Sequence, residues 1–177
     1  MTRAIIVILV SAFLNVPLFA RTFLGIEEFT NKSEVKRILY KNYNDLVIYD
    51  DGSDVKVVDP SFAGFKFSLA TFYFTPIDGS LKFNAISFQR WFSSTQLNDA
   101  KKFRDAIMSS LRGKYEDEIY VEFIDDQGFK ACEFGTQEKG ALGILEIRRS
   151  KGGDNKERLY VFLTYYAFDP TAVENEL

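Results

Sequence analysis

Hydrophobic and polar positions alternate with two periods along this chain. In 31–43, NKSEVKRILYKNY, Val35, Ile38 and Leu39 recur at helical spacing, Thr30 or Asn31 can cap, and Glu34 sits in the first turn. Asn42 and Asn44 mark its end. Strand patterns follow at 46–49 and 55–59 around Asp50-Asp51-Gly52, which predicts a hairpin. After the turn Asp78-Gly79, 81–92 reads as a long strand. A second helix is predicted over 94–115, capped by Ser94 or Thr95 and ending near Gly113. Its apolar stripe is Leu97, Ala100, Phe103, Ile107 and Leu111. Four strands are predicted at 118–124, 129–135, 141–149 and 158–168, separated by short polar turns. Pro170 closes the pattern, and 171–177 reads as a disordered tail.

The order helix, then about four strands, occurs in 31–92 and again in 95–168. Minor matches run in the same order: Val35-x-x-Ile38-Leu39-x-x-x-Tyr43 with Ile107-x-x-Ser110-Leu111-x-x-x-Tyr115, and Gly64-Phe65-Lys66 with Gly128-Phe129-Lys130. The expected fold is therefore α+β, in two tandem helix-then-antiparallel-sheet units. Their sheets could join into one, with the helices on one face. The units would be 21–92 and 93–170, after a signal peptide at 1–20.

The run 60–76, PSFAGFKFSLATFYFTP, does not keep one phase. Phe65, Phe67, Leu69 and Tyr73 share one face, while Phe72 and Phe74 fall opposite with Lys66, Ser68 and Ala70. A switch near Ala70-Thr71 implies a bulge or a strand covered on both sides, so the run reads mainly as core.

Residues 1–20 change the expected compartment. Arg3 precedes an apolar stretch at 4–14, Pro17 breaks it, and Ala20 suits the position before a cut, although Leu18 is large for the −3 position. This is a secretory signal pattern, with a mature start at Arg21. The rival is an uncleaved anchor, for which the apolar run is short. No Cys lies near the cut, which excludes lipoprotein processing, and no other membrane span follows.

Composition removes chemistries. The 177 residues contain no His and one Cys, so imidazole-based triads, Cys-His pairs and His zinc sites are excluded, as is an internal disulfide. A net charge of −3 gives no footprint for nucleic acid. Cys132 alternates in phase with Phe134 and reads as a small buried hydrophobe rather than a reactive thiol. Lys101, Lys102, Arg104 and Arg112 read as a solvated helix face, because Asp99 and Asp105 lie among them. Asn31-Lys32-Ser33 is a glycosylation sequon that also serves as a helix start.

The pairs Asp50-Asp51 and Asp125-Asp126 precede a Gly in turns, where Asp is favoured for local hydrogen bonding. Calcium ligation and a glycosidase-type carboxylate pair are the functional alternatives. The spacing does not fit an EF-hand, and turn tips rarely oppose two carboxyls across a sugar.

The run from Gly25-Ile26 to Thr30-Asn31-Lys32-Ser33-Glu34-Val35-Lys36-Arg37-Ile38-Leu39 resembles the opening of BLIP-like and BamE/SmpA-type exported domains. That resemblance implies helices packed on antiparallel sheet, in tandem for the β-lactamase inhibitor protein. Phe29, Asn44 and the missing lipobox Cys depart from the pattern. Phe62-Ala63-Gly64-Phe65-Lys66-Phe67 and Ala100–Asp105 with Lys114-Tyr115 are similar to small secreted proteins of Gram-negative anaerobes, a likeness that implies no activity.

One binding surface stands out. In the last strand Leu159, Val161, Leu163, Tyr165 and Ala167 form one face, and Arg158, Tyr160, Phe162, Thr164, Tyr166 and Phe168 the other. In 118–124 the apolar face is Ile119, Val121 and Phe123, leaving Tyr120 and Glu122 opposite. With helices over the aliphatic faces, Tyr120, Tyr160, Phe162 and Tyr166 would share the other face, and Trp91 could join them. The rival reading is that this face packs on the other half of the molecule. The expected function is an exported, non-enzymatic protein that binds a protein, peptide or envelope component through an aromatic sheet face. No catalytic, cofactor or metal residue is assigned. The alternatives are an envelope assembly factor and, less favoured, a small carboxylate-dependent hydrolase.

Overall fold

A computed structural model describes residues 22–152 and 154–166. The expected signal peptide, Arg21 and the expected tail lie outside the described residues. Two short antiparallel pieces, β1 (Thr22–Phe23) and β2 (Ile26–Glu27), lead into α1 (Lys32–Asn42). Then come β3 (Ile48–Asp50), β4 (Val55–Val58), the hairpin β5 (Ser61–Phe62) and β6 (Phe65–Lys66), β7 (Leu69–Ile77) and β8 (Ser80–Ser93). After α2 (Leu97–Tyr115) follow β9 (Ile119–Ile124), β10 (Lys130–Thr136), β11 (Gly140–Lys151) and β12 (Glu157–Tyr166).

The expected pair of tandem α+β units is corrected. The described residues are 51% strand and 21% helix, and the main body is one eight-stranded antiparallel sheet with only two helices. Its order is β3-β4-β7-β8-β12-β11-β10-β9. The physical reason lies at β8 and β12, which pair without a break from Ser93↔Arg158 to Ala85↔Tyr166. Strands assigned to separate units thus share one hydrogen-bonded ladder, and the buried residues of both stretches form one cluster. Element order predicts which strands exist; it does not say where a sheet ends.

Both helices cover the same face. From α1, Val35 and Leu39 are fully buried, and Lys32 Nζ lies 5.6 Å from the centre of the Phe74 ring. From α2, the Tyr115 ring lies 5.2 Å from Phe134, and Phe103 meets Phe92 at 6.0 Å and Phe67 at 5.6 Å. The β12 residues Leu159, Val161, Leu163 and Tyr165 are buried beneath them. α2 starts later than expected. Gln96 caps it, and the Gln96 side chain accepts from the Ser93 N–H at 3.0 Å, so Ser94 and Thr95 stay outside. Asn31 holds the cap position of α1 through extended backbone, without a side-chain capping bond. Among the described residues no helix is long and apolar enough to cross a membrane.

The phenylalanine-rich run is two structures. Phe62 and Phe65 pair across the β5–β6 hairpin, which turns through Ala63 and Gly64 at positive φ. That hairpin folds over the helix-side core, stacking Phe62 on Phe88 at 4.3 Å. β7 proper starts at Leu69, with Ala70, Phe72 and Phe74 facing the helices. The bulge falls between Tyr73 and Phe74, not at Ala70-Thr71. Its extra residue is Asn84 on β8, since Tyr73 opposes Ala85 and Phe74 opposes Phe83.

Candidate functional site: the open face of the sheet

A strand buries alternate residues, so the phase that sends Leu159, Val161 and Leu163 under the helices sends Tyr160, Phe162 and Thr164 to the opposite face. No helix covers that second face among the described residues. Register turns it into rows across the strands. Tyr73, Ala85 and Tyr166 form one row; Thr71, Ser87 and Thr164 form the next. Leu69, Gln89, Phe162 and Glu146 follow, and then Trp91, Tyr160 and Arg148.

The second row is small. With only hydroxyls and methyls between larger neighbours, the surface sinks into a trough of about 240 Å³, lined by Tyr73, Ala85, Ser87, Glu146, Arg148, Phe162, Thr164 and Tyr166. The Thr164 hydroxyl donates to Ser87 Oγ at 3.1 Å and fixes the floor. Tyr160 and Phe162 lie nearly parallel, 24° apart, with centroids 5.9 Å apart. Arg158 lies over Trp91 at 5.0 Å and Arg148 over Phe162 at 5.4 Å. Glu146, buried to 9% exposure, forms an ion pair with Arg148 at 2.5 Å. Burial raises the phenol pKa of Tyr73 and Tyr166, while the hydrogen bond to Glu146 raises the pKa of the Arg148 guanidinium.

Of the residues singled out from sequence, Trp91, Tyr160, Phe162 and Tyr166 come together on this face. Tyr120 does not, and its placement is corrected. Its ring packs against the helix-side core, and its hydroxyl lies 3.5 Å from the Met108 carbonyl oxygen of α2 and 3.1 Å from the Glu122 carboxylate. Desolvation, with the neighbouring Cys132 thiol, pushes its pKa up to about 12. β9 is an edge strand, and it turns Val121 and Phe123 to the open face at 55% and 37% exposure. The rule that aliphatic residues point inward fails there because an edge strand is less constrained by burial.

Tyr73, Glu146 and Arg148 were missed. Alternation groups Tyr73 with Phe65 and Phe67, yet it is 37% exposed on the open face. Glu146 and Arg148 carried a usable signal: they alternate out of phase with buried Leu145 and Ile147 on one strand.

Asp50, Asp51 and Asp125 are taken up by structural contacts. Asp50 accepts from Lys32 Nζ at 2.7 Å, Lys36 Nζ at 2.9 Å and the Gly52 N–H at 2.9 Å. Asp51 holds Lys56 and accepts from the Asp54 N–H at 2.9 Å. These contacts hold both carboxyls well below the usual range. Asp125 Oδ1 accepts from the N–H groups of Gln127 and Phe129 at 2.9 and 2.8 Å. Among the described residues no cluster of three or more His, Cys, Asp or Glu is placed to hold a metal. Cys132 is fully buried, and desolvation raises its pKa.

A second depression, about 450 Å³, lies where the β9–β10 turn meets β11 and is lined by Gln127, Phe129, Arg149 and Lys151 among others. Its polar groups bind one another: the Gln127 side chain donates to the Arg149 carbonyl at 3.3 Å and accepts from the Arg149 N–H at 2.6 Å. A scan of protein-family models, a search of curated proteins and a search of solved structures each return no match for this chain.

Proposed function

We propose that this is an exported, non-enzymatic protein that binds a protein or peptide partner through the open face of its eight-stranded sheet. One observation carries the reading. Among the described residues the sheet is covered on one side only, and the bare side concentrates aromatic and arginine side chains, with Trp91 at 50% exposure beside Tyr160, Phe162 and Tyr166. Such residues are enriched at the centres of protein interfaces, where a ring removes large area from water at small entropic cost. An exposed apolar patch carries a solubility hazard unless it has a use. The leader-like pattern of residues 1–20 supports export.

Site-directed photo-cross-linking tests this. A photoreactive residue replacing Trp91 should trap a discrete partner in envelope or secreted fractions, whereas one replacing the exposed Lys101 of α2 should not. Equal trapping at both positions, or none at Trp91, refutes the reading.

A further inference from the structure

We propose that the trough beside Glu146 recognises a cationic side chain, an arginine or lysine of the partner, and that Arg148 occupies the site in its absence. The inference rests on the open face being the binding face, and adds what the centre of that face selects.

Three features converge on a cation. The walls are π-systems: Tyr73, Phe162 and Tyr166 rise around a floor of Ser87 and Thr164, and ring faces attract cations. A carboxylate stands among them, since Glu146 pairs across the strands with Phe162 and its side chain is only 12% exposed. A carboxylate so nearly removed from water requires a cationic or hydrogen-bonding neighbour, because its desolvation is otherwise uncompensated. The internal partner is Arg148, which sits over the Phe162 ring at 5.4 Å while paired with Glu146. This is the arrangement a guest guanidinium would adopt: planar group on ring, N–H groups on carboxylate.

Arg148 is suited to leaving. Its own side chain is 60% exposed, five times the value for Glu146, so its head group can turn to water with little loss of packing. Glu146 and the rings stay, fixed by β11, β12 and β7, three strands interior to the sheet. An anionic guest would meet the Glu146 carboxylate and the electron-rich ring faces, so charge complementarity favours a base.

The test needs no partner. N-acetyl-arginine amide and its neutral isostere N-acetyl-citrulline amide are titrated into the full chain, followed by backbone NMR shifts of Tyr73, Glu146 and Thr164. Arg148→Ala empties the site and should bind the arginine probe roughly tenfold more tightly than the parent protein, the scale of a partly desolvated cation–π contact with an ion pair. The citrulline probe should bind at least about tenfold more weakly than the arginine probe. Glu146→Gln in the Arg148→Ala background should reduce the preference for arginine several-fold, leaving only the part the rings supply. Phe162→Leu, which keeps Glu146 and an apolar side chain but removes the ring, should weaken the arginine probe several-fold even if Glu146→Gln fails to fold. Equal affinity in the parent protein and Arg148→Ala, equal affinity for the two probes, or shifts mapping elsewhere overturns the proposal. Such a failure alongside intact cross-linking at Trp91 removes the cation site alone. Loss of cross-linking with retained probe binding removes the partner-binding reading instead.

Discussion

The Phe134 ring meets the Tyr165 ring edge-on at 5.1 Å, and Gly143 is the register partner of both residues. A Cβ at Gly143 would fall 2.6 Å from Phe134 Cζ and 2.2 Å from the Thr164 carbonyl oxygen. The first contact could relax by ring movement; the second is backbone and can relax only by parting β11 from β12. Gly143→Ala should therefore destabilise the fold by about 1–3 kcal/mol, the range for overpacking a filled core. Urea denaturation followed by far-UV circular dichroism checks this, and an unchanged midpoint would contradict the packing described.

Arg104 was expected on a solvated face, but it is 5% exposed. It donates to the Lys130 carbonyl at 3.0 Å and, through Nε and Nη2, to Asp105 at 2.9 and 2.7 Å. It ties α2 to β10. Arg104→Ala leaves the half-hidden carbonyl without that donor and should cost about 1–3 kcal/mol. Asp105→Ala removes the exposed member of the pair, at 57% side-chain exposure, while Arg104 keeps its bond to the Lys130 carbonyl, and should cost less than Arg104→Ala. Comparing the two denaturation midpoints separates the helix–sheet tie from the surface ion pair.

These residues show where the sequence was legible. Helical spacing placed α1 and α2 to within a few residues, because Val35, Leu39, Ala100, Ile107 and Leu111 are buried. Alternation in β12 assigned its two faces correctly, because a central strand under helices obeys the inside–outside rule. It failed at Tyr120, on an edge strand where Val121 and Phe123 remain exposed. The charge pattern on α2 failed at Arg104, whose neighbours in sequence are solvated while its own head group reaches a carbonyl on β10. The rows that create the trough depend on register among β7, β8, β11 and β12, which alternation within one strand does not encode.

The Asp50 carboxylate bridges α1 to the β3–β4 turn through Lys32, Lys36 and the Gly52 N–H. Those contacts lower its pKa, with the Lys32 hydrogen bond the largest cause. A depressed folded pKa means that the unfolded chain binds more protons, so the contribution is present above the unfolded value of about 3.9 and lost as pH falls below it. In thermal melts, Asp50→Asn should be less stable than the parent at pH 7, and the gap should close as pH falls from about 5 towards 2. The Asp51–Lys56 pair remains in that variant, so some acid sensitivity should persist. A gap independent of pH would mean that Asp50 acts through local turn geometry rather than charge.

Trp91 is half exposed on the open face, with Arg158 over its ring at 5.0 Å. Half of its surface is open to water and it lies outside the buried core cluster, so Trp91→Ala should change stability by only about 1 kcal/mol, and thermal melting should register a small shift. Its proposed role is at the interface, where removing a central aromatic anchor costs about 2 kcal/mol or more, some thirtyfold in affinity. Binding should also shift the emission of this tryptophan, the only one in the chain, to shorter wavelength as the ring leaves water. The measurement is paired: melting of Trp91→Ala beside its affinity for the partner trapped by cross-linking. A large loss of stability with unchanged affinity would place Trp91 in the fold and move the binding face elsewhere. A large loss of affinity at constant stability places it in the interface, beside the Tyr160 and Phe162 rings it shares the sheet surface with.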